Sequence, residues 1–142
     1  IIGYVIMPNH CHILLYQNLR SEKTINDKVS NGKRFLAYEI VKRLKDKKNF
    51  DLLEKLSSDL TTLERSKGSK HKIFKTSFDA KICSSIAMLE TKLNYIHHNP
   101  TTGKWNLSES FCAYKYSSAP YYELDKPNKY ITHYLNINDT HS

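Results

Sequence analysis

The chain has 142 residues, 39% apolar and 25% charged, with only four Gly and four Pro, so it can bury a core without disulfides or zinc and is neither disordered nor collagen-like. A single globular domain over 1–142 is expected, and apolar runs such as Ile13 to Tyr16 fall far short of the roughly 20 residues that span a bilayer. Lys and Arg number 22 against 14 Asp and Glu, a net charge of +8, which favours polyanionic partners, nucleic acid first, through phosphate contacts and counterion release.

The chain begins Ile1-Ile2-Gly3-Tyr4 without Met, already inside a strand-like run, so further residues are expected upstream. Residues 1 to 7 and Cys11 to Tyr16 are rich in β-branched and aromatic types, and Pro8-Asn9 interrupts them. That pattern predicts a β-hairpin with His10 and His12 at the start of its second strand. After a polar stretch, Leu36, Ile40, Val41 and Leu44 recur at helical spacing, predicting a basic amphipathic helix over Lys33 to Lys45. Leu52, Leu56, Leu60 and Leu63 form one stripe, predicting a second helix from about Asp51 to Glu64.

Arg65 to Lys75, with Arg65, Lys67, Lys70, Lys72, Lys75 and Gly68, reads as an exposed basic loop. Ile73 to Cys83 predicts a further strand anchored by Phe74 and Phe78. A third helix follows from a Ser84 or Ser85 cap to about Asn99, with Ile86, Leu89, Leu93 and Ile96 as its stripe and Pro100 ending it. The tail is aromatic, with Trp105, Phe111 and several tyrosines around Tyr116-Ser117-Ser118; most of these rings are expected to pack, and exposed ones to offer faces for unpaired bases. From Arg20 to Lys81 there are 17 basic and 9 acidic residues, and 5 of each thereafter, so the basic face belongs to the middle of the chain. Three cysteines, Cys11, Cys83 and Cys112, show no C-x-x-C pair, which suits a reducing cytoplasm.

Two constellations carry chemistry. His10 and His12, two positions apart on a strand, point to one face and together could hold part of a metal site, the remaining ligands coming from elsewhere in the fold, water or a substrate phosphate. The same pair on a surface strand equally suits simple solvent exposure. In the last helix, with Ile86 at zero and roughly 100° per residue, the apolar stripe clusters between about 280° and 360°, while Tyr95 falls near about 180° and Asn99 near about 220°. Tyr95 and Asn99 therefore share a face away from the core, where a phenol could attack phosphorus and an amide oxygen help hold a metal. An ordinary surface tyrosine and a helix-end asparagine would show the same spacing.

Taken in order, Met7-Pro8-Asn9-His10-Cys11-His12-Ile13-Leu14-Leu15, a basic region, Tyr95-Ile96-His97-His98-Asn99-Pro100 and Tyr116-Ser117-Ser118 resemble the REP-associated tyrosine transposases, bacterial single-tyrosine HUH transposase-like proteins related to insertion-sequence-200-type enzymes. The likeness spans nearly the whole chain. It implies an α+β, ferredoxin-like antiparallel sheet with helices on one face, lacking here the family's first strand and helix. Phe74 to Cys83 would be the strand before the catalytic helix. The resemblance further implies metal-dependent cleavage and rejoining of single-stranded or hairpin DNA in transposition and recombination, through a 5′-phosphotyrosine on Tyr95. His10, His12 and Asn99 would hold Mg²⁺ or Mn²⁺, with His98 a competitor for the third position. Tyrosine is a poor nucleophile at neutral pH, so a cation on the scissile phosphate fits this chemistry, and no P-loop pattern is present.

Phosphate contacts are expected from Lys33, Arg34, Lys42 and Arg43 on the basic helix and from Lys67, Lys70 and Lys72 on the loop. A homodimer would allow Tyr95 to act in cis or in trans. At Pro100-Thr101-Thr102-Gly103-Lys104-Trp105 the chain departs from the family's Val-Arg-Ala-Gly-type continuation. Two other classes compete: a non-catalytic or domesticated module that binds hairpin or single-stranded DNA, and a structural metal protein using His10, His12, His97 or His98. The latter lacks the closed four-ligand N/S spacing of structural zinc.

Overall fold

β-Branched and aromatic side chains favour the pleated, half-buried environment of a sheet, and the hairpin forms where the sequence predicts it. The computed structural model describes residues 1–18, 20–75 and 79–140. Strands β1 (Gly3–Ile6) and β2 (Cys11–Leu14) pair antiparallel, with Gly3 opposite Leu14 and Val5 opposite His12. The Met7 N–H donates to the His10 carbonyl at 2.8 Å, closing the Pro8-Asn9 turn. Five helices follow, α1 (Ile25–Asp46), α2 (Phe50–Ser58), α3 (Thr62–Ser66), α4 (Ile86–His98) and α5 (Ala119–Glu123), with 3₁₀ turns at Asn99–Thr101, Phe111–Ala113 and Tyr134–Thr140. The α+β class holds, with a two-stranded antiparallel sheet among the described residues. No helix among them is long and apolar enough to cross a membrane. The chain divides into two compact units, Ile1–Asn18 with Lys81–Ser142, and Leu19–Ala80.

In the first unit α4 packs on β1. Val5, Met7, Leu93 and Ile96 form the buried cluster, with Leu14, Trp105, Tyr114, Tyr122 and Tyr134 against it. The approach is close: a Cβ on Gly3 would collide with Leu93 Cδ1. The other edge of β1 is covered by the aromatic tail. Tyr116–Ser118 runs along it, with Ser117 bridged antiparallel to Val5, Ile6 N–H donating to the Tyr116 carbonyl and Ser118 N–H to the Tyr4 carbonyl, both at 2.9 Å. The hydroxyls of Tyr114 and Tyr122 donate to the carbonyls of Ile6 and Ile2, each at 2.8 Å. Backbone groups at the sheet edge thereby find partners that a longer strand would otherwise supply.

The second unit is helical. Thr24 caps α1 and Thr61 caps α3, each in a reciprocal capping box with Asp27 and Glu64 respectively. The first helix therefore begins well before Lys33, because a polar first turn with a good cap needs no apolar stripe. The helix predicted over Asp51 to Glu64 is instead two: α2 stops at Ser58, Leu60 is buried between the helices, and the Thr61 box restarts the chain as α3. Lys48 (φ 54°) turns the chain between α1 and α2 in the left-handed region, as helix ends commonly do.

The predicted strand Ile73 to Cys83 does not form among its described residues. The outer edge of β1, one of the places where a further strand could pair, is taken by the tail; Ile82 is exposed, and Phe74 lies under the Lys33 ammonium. Phe78 lies outside the described residues. Ser85 caps α4 as predicted, its hydroxyl oxygen accepting the Met88 N–H. At the far end Asn99 keeps helical angles (φ −51°, ψ −41°) and Pro100 sits inside the 3₁₀ turn, so the proline tightens the helix end where it was expected to expel Asn99 from helical geometry.

Candidate active site

Alternation along the hairpin decides which side chains face α4. Gly3, Val5 and Met7 are buried there, and their cross-strand partners include His12, so the histidine pair lies on the helix-facing side of the sheet. The imidazoles of His10 and His12 stand edge to face with centroids 4.9 Å apart. Tyr95, from the outer side of α4, brings its ring to 5.8 Å from that of His12 in a T-shaped contact. Trp105 lies 5.8 Å from His10 on another side, with the Lys104 ammonium over its indole. Two motifs far apart in sequence therefore meet within one unit of the fold.

Hydrogen bonding at His10 and burial at His12 suit ligation. The Nδ1 of His10 is 2.6 Å from the Asn9 side-chain oxygen; an N–H donated there leaves the Nε2 lone pair free, the usual arrangement of a metal-binding imidazole held by an outer partner. Burial, with the neighbouring His10 second, holds the pKa of His12 below the ordinary imidazole value, so His12 is neutral at pH 7. Tyr95 is 59% exposed, open to water and to a substrate. Asn99 keeps helical geometry, so the one-turn relation to Tyr95 survives to the helix end. His98 donates its Nδ1–H to the Asn94 carbonyl at 3.0 Å, and its ring lies 4.0 Å from that of Phe111, tilted by 34°. Among the described residues there is no group of three or more His, Cys, Asp or Glu side chains that could hold a metal ion; the pair His10 and His12 supplies two imidazole nitrogens, to be completed by other oxygen or nitrogen atoms.

The basic residues predicted for phosphate contact all lie in the second unit, and several have partners there. Lys33 donates to the Lys75 carbonyl at 2.9 Å, Arg34 to Asn31 Oδ1 at 3.0 Å, Arg43 to Glu39 at 2.9 Å and Lys72 to Glu64 at 3.1 Å. Lys42, Lys67 and Lys70 are exposed.

In the first unit, a histidine that the sequence offers only as a possible structural metal ligand is a buried polar group of the core. His97 is 2% exposed, and its Nε2 meets Ser118 Oγ at 2.8 Å. That same hydroxyl oxygen accepts the Tyr4 N–H at 2.9 Å, and burial lowers the His97 pKa to about 4. The signal was available: on the helical wheel His97 falls at about 20°, beside the apolar stripe. Ser118 in the Tyr-Ser-Ser motif is thus the link between the sheet and the catalytic-candidate helix. Comparison with protein-family models, curated proteins and solved structures finds no match to this chain.

Proposed function

We propose that the chain is a metal-dependent, single-tyrosine DNA transesterase that cuts and rejoins single-stranded or hairpin DNA. The observation that carries this reading is the approach of the Tyr95 ring to 5.8 Å from His12 beside the paired imidazoles, with Asn99 one turn on. The resemblance to REP-associated tyrosine transposases joins those same residues in one site. The ferredoxin-like sheet of such enzymes belongs to this proposal, with β1, β2 and the bridged Tyr116–Ser118 segment as part of it. A cytoplasmic setting accords with Cys11, Cys83 and Cys112 not being joined in disulfides. Contact between His12 and Tyr95 of one chain supports action in cis, so a homodimer is not required.

Chemically, the Tyr95 oxygen forms a bond to phosphorus as the bond to the 3′ oxygen breaks; the phenolic proton passes to solvent, and the departing oxygen takes one up as a 3′-hydroxyl. One phosphodiester replaces another, so the reverse step rejoins strands without ATP. His10 and His12 each offer an imidazole nitrogen, and Asn99 offers an amide oxygen. Mg²⁺ or Mn²⁺ held by these three would neutralise charge on the scissile phosphate. The test is incubation with 5′- and 3′-labelled hairpin DNA plus Mn²⁺ or Mg²⁺. A DNA adduct on Tyr95, absent in Tyr95→Phe while DNA binding stays within about twofold, is the expected result; cleavage unchanged in Tyr95→Phe rejects the assignment. His10→Ala with His12→Ala should lose metal-dependent cleavage, and a double variant that cuts normally puts the metal elsewhere.

A further inference from the structure

Away from the histidine pair, the first unit holds a cavity of about 170 Å³ lined by Tyr121, Tyr122, Asp125 and His133. It is smaller than the roughly 300–1,000 Å³ of pockets for drug-sized ligands, a size for one planar ring system. Its walls are aromatic: Tyr121 and Tyr122 stand edge to face at 5.1 Å, and His133 stacks on Tyr134 at 4.7 Å and lies 5.0 Å from Tyr122. Its polar groups are of two kinds. The Leu135 N–H donates to His133 Nδ1 at 3.2 Å, so a neutral His133 carries its proton on Nε2 and presents a donor. Asp125 presents a carboxylate, which only accepts, from a residue in the left-handed region (φ 50°).

We propose that this cavity binds a guanine base, stacked against the tyrosine and His133 rings, with Asp125 accepting its paired N–H groups and His133 donating to its carbonyl side. Guanine alone among the bases sets two adjacent N–H donors on one edge, which match the two oxygens of a carboxylate. Adenine and cytosine place an acceptor beside their amino group, which would face a carboxylate oxygen, and thymine offers one N–H between two carbonyls. Base edges are free to be read in this way when a strand is unpaired, and stacking on aromatic side chains supplies affinity without regard to sequence. The inference rests on the nucleic-acid reading for where the base comes from, and on the cavity alone for which base it is.

The test uses the full chain carrying Tyr95→Phe, without divalent metal, so that cleavage plays no part. Labelled dT oligonucleotides carrying one dG, one inosine or no substitution are compared by anisotropy, with guanosine monophosphate as competitor. The dG strand should bind about tenfold more tightly than dT, in the range of a good bidentate base contact, and inosine, lacking the amino group, should lose most of that gain. Asp125→Asn should erase the preference; Asn accepts the left-handed backbone readily, so the loop is kept. A preference for dG that survives in Asp125→Asn, or equal binding of dG and dT by the parent, overturns the proposal. Competition by the mononucleotide supports a site for the base itself, and a dG preference without such competition supports one that needs the strand. Either result stands whether or not Tyr95 forms an adduct, so failure of the transesterase reading and failure of this one are separate outcomes.

Discussion

A buried imidazole that stays neutral makes stability depend on acid. His97 lies against Ser118, and its pKa falls to about 4 because burial penalises the charged ring, the neighbouring His98 adding to the effect. An unfolded histidine titrates near 6.5. Between these values the unfolded chain binds the proton and the folded one does not, so the contribution is fully present above about pH 6.5, shrinks as pH falls, and stops changing below about pH 4. Lowering the pH from 7 to 5 should therefore cost about 2 kcal/mol, read from urea unfolding at the two pH values. Replacing His97 by Gln should flatten most of that dependence, and an equal slope in the variant would place the acid sensitivity elsewhere. The residue's burial was legible as an angle on the helical wheel; its partner was not, because Ser118 reaches it only through the folded tail.

At the level of elements, what could be read depended on whether the determinant was local. The hairpin and α4 follow from alternation, from a Ser85 cap and from one apolar stripe, all written within a few residues. The ends of α1 to α3 differ from those the leucine spacing predicts because their boundaries rest on the two capping boxes, Thr24 with Asp27 and Thr61 with Glu64, which are equally local signals. The strand expected after Ile73 is a different case: strand formation needs a partner edge that is non-local, and no window of sequence reveals that Tyr116–Ser118 occupies one edge of β1. The contact of β1 with α4 is similarly non-local, and Gly3 is where it is tightest. Gly3→Ala should push against Leu93 and destabilise the first unit by about 1–3 kcal/mol. Because α4 carries Tyr95, the variant should also lose the proposed DNA cleavage more steeply than its stability at 25 °C accounts for. Gly3→Ala combined with Leu93→Ala, which removes the opposing methyls, should recover part of the packing cost; no recovery would mean that the contact is not what limits Gly3.

For the whole molecule, charge is the property most easily read and least easily located. The excess of +8 comes from the middle of the chain, where the helical unit Leu19–Ala80 lies. Several of its cations are held by the unit's own carbonyls and carboxylates: Lys33 fixes the segment at Lys75, and Lys72 is half-buried against Glu64. Removing these would disturb the unit as well as any interface. Lys42, Lys67 and Lys70 are exposed, so they separate the two effects. Each phosphate neutralised on a single strand contributes about 0.7 to the slope of log affinity against log salt. If all three touch the backbone, replacing them by Ala should lower that slope by about 2 and weaken binding at 50 mM salt far more than at 200 mM, while urea unfolding stays within about 0.5 kcal/mol of the parent. An unchanged slope would remove these residues from the interface and shift the burden to cations of the other unit, such as Lys104 over Trp105, which stands beside His10 at the candidate catalytic centre.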